Sequence, residues 1–458
     1  MSIKKVIEKV YGIYSKFMPV FIIIALVGGI FAAMYIPALM FAADKIMSAI
    51  IDSIVLIAPV AIFIVLAPSV TSILDTRRKA KFGGFVVGWF SLTRFLAGAW
   101  SVLFVTLVLG LPIVSDGGTQ SFSTVIYDNF KVVLDLLTKS PTLWAIYISI
   151  GVGVYAYYNK KLQKGLFKVA SGLETVGNYI EPVIPLFMFL LGAYICSLPI
   201  VLMSEVGDDV ISTLTSQGTI TFLGATIDIT TQFGLVYVYF LNAALVAIGC
   251  FIWQFMQMIL LKLRVSDFSI KRYFKEYWIR IYPLAWSTSS ETASMPLNLS
   301  LVKKVYPEVN RDVRRLTCGL GAYMNINGTT MSVLVLTGIV AAICGVEVSM
   351  LTLLLSLPIV VLIGYGIPGI PAELMFYALP MMAVIAVPEA IAPVFLAIFL
   401  AVQIGLPDSF RTGTNVTDNG LYAVVLNDVY NKKYAQVAVE EAKDIRKQRW
   451  FTKANGRN

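Results

Sequence analysis

The stretch DSFRTGTNVTDNG, residues 408–420, holds an arginine where cations are otherwise missing. From Leu316 through Phe410 the chain has no Lys or Arg, and Arg411 ends that run. On a helix Asp408, Arg411, Thr412, Asn415 and Asn419 share one face, because their spacing keeps returning to the same side of a 3.6-residue turn. An arginine in hydrocarbon costs roughly 2.5–3.5 kcal/mol on insertion scales and needs an anion. Asp408, one turn away, can neutralise it as a structural ion pair. Alternatively the planar guanidinium fork takes a visiting carboxylate bidentately, leaving Asp408 for a cationic group such as an ammonium. Intramembrane charges are functional by default, which favours the second reading.

Three further polar motifs interrupt apolar sequence. Ser287–Thr292 reads STSSET, whose hydroxyls and free N–H groups suit a carboxylate if the turn stays inside the membrane. Residues 321–330 read GAYMNINGTT, a run of polar side chains that lipid would leave unsatisfied. Residues 364–371 read GYGIPGIP, where glycine permits close backbone approach and a flexible tip. Each motif has an ordinary alternative as a polar turn; their joint occurrence is what carries weight.

The elements that must position these groups follow from apolar runs. Crossings are predicted near 17–43, 46–74, 85–113, in a broken region ending with 143–158, then 181–204 and 231–262. Basic clusters at the N-terminus, at 77–81, at 160–168 and from Lys262 to Arg280 fall after zero, two, four and six crossings. All then lie on one side, the cytoplasm, with both termini. Ile281–Val302 is basic at both flanks and has 22 residues, too few for the two crossings of about 40 residues that a return would need. It is predicted to be a re-entrant hairpin. A helix over 316–344 follows, broken at its polar motif. Residues 349–388 are predicted to form a second hairpin entered from outside, before a last helix from about 390 into DSFRTGTNVTDNG. Two opposed hairpins, each followed by a helix broken at a polar motif, make an inverted repeat with a midplane site. The predicted fold is an all-α polytopic membrane protein of eight transmembrane helices plus two opposed re-entrant hairpins. Its expected division is a scaffold part at 1–75 and 115–225, a mobile part at 82–113 and 230–430, and a cytoplasmic tail at 431–458.

Composition agrees and excludes other classes. Of 458 residues, 58% are hydrophobic and 14% charged, where soluble domains average about 25% charged. The net charge of +9 sits in short segments between apolar runs, a topology signal that disfavours nucleic acid as partner. Cys196, Cys250, Cys318 and Cys344 form no CxxC pair and histidine is absent, so neither a zinc site nor a disulfide framework is expected. The start, MSIKKVIEKVYGIYSK, reads as an amphipathic cytoplasmic helix with no cleavage site. No nucleophile and base pair is present for an intramembrane enzyme, and no cofactor is expected.

From about residue 280 to 430 the chain resembles the dicarboxylate/amino acid:cation symporters, the glutamate transporter family. STSSET is similar to the serine-rich tip of that family's first hairpin, NINGT to its Asn-Met-Asp-Gly-Thr motif, GIPGIP to the tip of its second hairpin, and DSFRTGTNV to its Asp-x-x-Arg-Thr-x-x-Asn-Val motif. The resemblance implies an elevator-type transporter, usually a homotrimer, in the cytoplasmic membrane. It would carry aspartate, glutamate or a related small anion. Arg411 would hold the substrate's side-chain carboxylate, Asp408 its amino group and Asn415 its main-chain carboxylate. Ser289, Ser290, Thr329, Gly366 and Thr412 would complete the shell.

The sequence departs from the family where its sodium ions bind. The equivalent positions are Thr93, Arg94, Gly321, Tyr323, Asn325, Asn327 and Asn419. Two of them hold asparagine, Asn327 and Asn419, where the family has aspartate, and a small cation in a dry site needs anionic oxygen to replace its hydration. Second-hairpin hydroxyls are replaced by Val361 and Gly364. Arg94 is either a snorkelling or paired arginine, or a guanidinium that permanently occupies a sodium position. In the second case sodium coupling is weak or absent, leaving proton coupling through Glu291, Glu373 or Asp408, exchange, or facilitated transport. The sequence leaves open, as rivals, a C4-dicarboxylate transporter and, in another class, an anion channel or substrate-gated sensor.

Overall fold

The computed structural model describes residues 20–74, 77–114, 141–180, 183–196, 219–222, 225–228, 234–265, 268–365 and 372–435. The first helix, α1 (Val20–Tyr35), ends at Ile36, and α2 (Pro37–Leu74) begins immediately. The boundary expected at residues 43–46 therefore lies about eight residues earlier. Proline explains the shift: Pro37 has no N–H to donate and disfavours helical geometry in the residue before it, whereas AADKIM continues the helix. The third helix, α3 (Arg77–Leu109), is followed by α4 (Pro141–Tyr158), the basic amphipathic α5 (Lys160–Ile180) and α6 (Ile184–Ile195). Helix α2 packs on α4, α5 and α6.

The described residues are helical, as expected, apart from one short pair of strands. Strands β1 (Thr219–Phe222) and β2 (Ala225–Asp228) pair antiparallel, with Ile220 opposite Ile227 and Thr221 opposite Thr226. Alternating Thr and Ile favour the pleat.

After α7 (Gly234–Arg264) the chain twice repeats one order of elements. A π-helical turn, Tyr273–Trp278, leads into α8 (Ile279–Thr288), which turns through Ser289 and Ser290 into α9 (Glu291–Val305). A rod broken at Asn325–Ile326 follows, α10 (Arg311–Met324) and α11 (Asn327–Ile343). The second pair is α12 (Met350–Ile363) and α13 (Met375–Val384), followed by α14 (Ala392–Val402) and α15 (Leu406–Val429), bent by 62° across a short break. The bend precedes the DSFRT motif, where Gly405 has φ 70°, so the motif itself lies on unbroken helix.

Among the described residues, three helices are long and apolar enough to cross a membrane, Lys81–Leu109, Val236–Arg264 and Arg311–Ile343, and the bent pair makes a fourth if it is one span. With the further apolar helices this makes the chain a polytopic membrane protein. Two apolar cores fill the region around α15. One joins the C-terminal half of α3 to α7, α11, α12, α13 and α14; the other joins the N-terminal half of α3 to α8, α9, α10 and the far half of α15. Helix α3 enters both, through Phe90 in one and Ala97 in the other, with Arg94 between them. The α10–α11 rod does the same, through Tyr323 and Met331. Polar groups at these levels are thus held between two apolar cores.

Candidate functional site

Helix α15 carries the site. Arg411 is wholly buried, at 0% exposure, so its charge has to be met by protein. Its Nη2 lies 2.9 Å from Asp408 Oδ1, its Nε 4.0 Å from Glu373 Oε1, and its Nη1 donates to the Gln403 carbonyl at 3.3 Å. The three acceptors come from α15, the segment entering α13, and the bend before α15. Asp408 does more than neutralise: its Oδ2 accepts the Ala372 N–H at 2.7 Å, and its Oδ1 the Thr412 hydroxyl at 3.4 Å. Ala372 has φ 61°, a left-handed conformation that an alanine keeps only where surroundings hold it. Asp408 therefore ties the second hairpin to α15.

A chain of hydrogen bonds runs from this arginine to the first hairpin. The Thr329 hydroxyl donates to Glu373 Oε1. Asn415 Nδ2 donates to Thr329 Oγ1 at 3.0 Å and to Glu291 Oε1 at 2.6 Å, and Asn415 Oδ1 accepts the Gly328 N–H at 2.6 Å. Helix starts leave N–H groups without intrahelical partners, and Asn415 satisfies one of them at the start of α11. A Cβ on Gly328 would run into the Arg411 backbone, so only glycine lets the break approach α15 this closely. At the other tip Ser289, with φ 45°, places its Oγ 3.3 Å from Ser409 Oγ, and Ser290 caps α9 by accepting the Ala293 N–H at 3.2 Å. Four expected shell residues on α11 and α15, Thr329, Asp408, Thr412 and Asn415, thus converge near Arg411. Ser289 joins α15 through Ser409, Ser290 serves its own helix, and Gly366 lies outside the described residues.

The positions expected to match cation sites divide differently. Arg94, also 0% exposed, donates Nη1 to the Val361 carbonyl at 2.8 Å and Nη2 to the Met324 carbonyl, with its guanidinium 4.6 Å from the centre of the Tyr365 ring. Those carbonyls lie at the C-terminal ends of α12 and α10, where unpaired C=O groups and the helix dipoles attract positive charge. Snorkelling is excluded by this burial, and Arg94 is a paired cation between two helix ends. Asn325 Nδ2 donates at 2.9 Å both to the Asn415 carbonyl and to Asn419 Oδ1, and the Asn419 amide presses on Gly321. Asn327 turns elsewhere: its Nδ2 donates to Asp418 Oδ2 at 2.9 Å and Tyr422 Oη at 2.8 Å. The same carboxylate oxygen accepts Gln257 Nε2 at 3.0 Å and Trp253 Nε1 at 3.3 Å from α7. Asp418 and Asn419 thus serve different neighbours. Thr93 bonds the Phe90 carbonyl one turn back at 3.2 Å, and Tyr323 is buried on α10. Among the described residues no group of three or more His, Cys, Asp or Glu has the geometry to hold a metal ion.

Sequence reasoning treated Glu291 and Glu373 only as possible proton carriers, although both are bonded into the network. The available signal was an acid beside each hairpin tip in otherwise uncharged sequence. The roles of Ser409, the Ala372 N–H and the Gln403 carbonyl had no such signal, because backbone groups and bends leave little trace in residue type. The arrangement brings a buried guanidinium, three carboxyl groups and amide and hydroxyl donors to one polar level.

No curated protein matches the chain. Residues 220–429, which contain both helix pairs, both broken rods and every residue of the Arg411 network, match the model of the sodium:dicarboxylate symporter family.

Proposed function

We propose that the chain is a secondary transporter of acidic amino acids such as aspartate or glutamate, in which Arg411 receives a substrate carboxylate. The observation that carries this reading is the wholly buried Arg411 held by Asp408 and Glu373, one acid from each side of the second hairpin's junction with α15. In this closed arrangement the two carboxylates occupy the guanidinium as a substrate carboxylate would. Exchange of one anion for another leaves the buried charge paired at every stage, which avoids the cost of several kcal/mol for a solitary buried ion. Asp408, released from Arg411, then suits an ammonium group, and Asn415 and Thr329 supply amide and hydroxyl contacts.

Coupling follows from charge. The site holds Glu291, Glu373 and Asp408 against Arg411, so a further anion must bring positive charge with it. The family's description names sodium. Arg94 already fills the space between the carbonyls of Met324 and Val361, and a covalently attached cation offsets charge without moving down a gradient. We therefore assign coupling to protons carried at the hairpin acids. The elevator division, with residues 1–75 and 115–225 as scaffold and 82–113 and 230–430 as the moving part, belongs to the same reading, as do a homotrimeric assembly and cytoplasmic termini.

A C4-dicarboxylate such as succinate is the second reading, favoured by the dicarboxylate of the family description and opposed by Asp408, which repels a second carboxylate. The test is aspartate uptake into proteoliposomes under separately imposed sodium and proton gradients, with succinate as competitor. Uptake driven by protons and insensitive to succinate is expected; steep sodium dependence refutes the coupling, and strong succinate competition replaces the substrate.

A further inference from the structure

The 62° bend between α14 and α15 leaves backbone groups that a straight helix would pair with one another. Buried groups of this kind need partners, and side chains meet three of them. Asn242 Nδ2 donates to the Val402 carbonyl at 3.1 Å, Arg411 Nη1 donates to the Gln403 carbonyl at 3.3 Å, and the Tyr239 hydroxyl accepts the Leu406 N–H at 2.7 Å. Pro407 has no N–H to satisfy, and that of Ser409 returns to the Gly405 carbonyl at 2.9 Å. Two of the three side chains come from α7, where Tyr239 and Asn242 share one face and are 2% and 0% exposed. We propose that Tyr239 and Asn242 are positioning residues for Arg411: they fix the bend, and through it the edge that the guanidinium turns to a substrate carboxylate. The assignment rests on Arg411 being the substrate's partner.

A guanidinium carries parallel N–H groups along its Nε–Nη2 edge, which a carboxylate can grip with both oxygens at once. Asp408 lies 2.9 Å from Nη2 and Glu373 4.0 Å from Nε, yet neither nitrogen makes a well-directed hydrogen bond. Nη1 does make one, to the Gln403 carbonyl. The edge suited to a visiting carboxylate is therefore the loosely held one, and the nitrogen outside that edge is tied to backbone. Side-chain acids can swing away when a substrate arrives, whereas a carbonyl within a fixed bend cannot. The tie at Nη1 is then the contact that persists, and it decides where the open edge points. Its place depends on Gly405, whose φ of 70° permits the turn, and on the two α7 side chains that hold either side of that turn. Binding groups have to be held within about 0.5 Å and 10–20° of the productive geometry, so a small relaxation of the bend reaches the substrate.

A purely structural role fits Asn242 less well. It is the only amide side chain between Gly234 and Trp253, in a run of aliphatic and aromatic residues. Burying it there leaves its Oδ1 without a hydrogen-bond partner among the described residues. An acceptor left dry opposes folding, so stability alone does not account for an asparagine in this place. Its donor to the Val402 carbonyl does.

The test is aspartate uptake by the full chain in proteoliposomes, with initial rates read over a range of concentrations. Tyr239→Phe keeps the ring and removes only the oxygen that accepts the Leu406 N–H. Asn242→Leu keeps the size and removes the donor to the Val402 carbonyl. Each should raise KM about tenfold, the order expected for one lost hydrogen bond, while the maximal rate stays within about twofold of the wild type. Tyr237→Phe, on the same helix and 40% exposed, should leave KM as it is. Melting temperatures check that the variants are folded. A merely structural role would lower the maximal rate through loss of folded protein and leave KM in place. Unchanged KM in both variants beside working wild-type uptake, or failure of both to fold, overturns this assignment alone. A wild type that carries no aspartate removes the transport reading and this assignment with it.

Discussion

Replacing Arg94 with methionine tests whether a guanidinium stands in for a mobile cation. Methionine keeps the length and apolar character of the arginine stem, so packing against Tyr365 changes little while the charge disappears. Two donor contacts go, to the carbonyls of Val361 and Met324. Hydrogen bonds to charged groups contribute about 1.5–3 kcal/mol each, so the gross loss is about 3–6 kcal/mol. Removing the buried charge recovers part of it, because its desolvation no longer opposes folding. A net destabilisation of about 2–3 kcal/mol remains, the cost of two carbonyls left dry between helix ends. The assay is thermal unfolding of the purified protein in detergent, in choline chloride and again in sodium chloride. The variant should melt well below the wild type in choline and regain part of the difference in sodium, since the vacated carbonyls can then ligate an ion. The wild type should be indifferent to the exchange of cations. A variant as stable as the wild type, or a wild type that sodium stabilises as strongly as it does the variant, would refute the reasoning.

Other perturbations address the rest of the network. Glu291→Gln keeps an acceptor for the Asn415 amide but removes a titratable group, and it should flatten the pH dependence of aspartate uptake; an unchanged pH profile excludes Glu291 from the proton path. Asp408→Asn weakens the Arg411 pairing and puts an amide donor opposite the Ala372 N–H, so hydrogen exchange near residue 372 should rise several-fold, and unaltered exchange would show that Asp408 does not fasten the hairpin. Gly328→Ala drives a methyl into the Arg411 backbone, while a Cβ at Gly84 meets nothing within 4 Å. The first should cost about 1–3 kcal/mol of stability as overpacking does, and the second, as a control, should leave the melting temperature near that of the wild type.

What the sequence revealed and what it hid divide along physical lines. The turn at Ser289–Ser290 falls inside the segment 281–302, where charge and length led to the expectation of a hairpin, and the break at Asn325–Ile326 was legible because lipid offers those amides no partner. The clustering of Asp408, Thr412 and Asn415 with Arg411 followed from helical spacing alone. The helix boundary near residue 36 was missed because hydropathy runs straight through it and a single proline decides it. The short ladder at 219–228 is local β-branched pattern amid apolar sequence, easily absorbed into a linker. The partners of Asn327 and Asn419 were beyond reach for another reason: adjacent residues on one helix point about 100° apart, and only packing determines that Asp418 faces α7 while Asn419 faces α10.

Equilibrium binding of labelled aspartate to the purified protein, wild type against Arg411→Ala, addresses the central claim most directly. The alanine protein's fold should first be verified by its melting temperature. Saturable binding by the wild type and none by the variant is the result expected if that guanidinium receives the substrate's carboxylate. Equal affinity in the two proteins would mean that Arg411 only balances its own acidic neighbours.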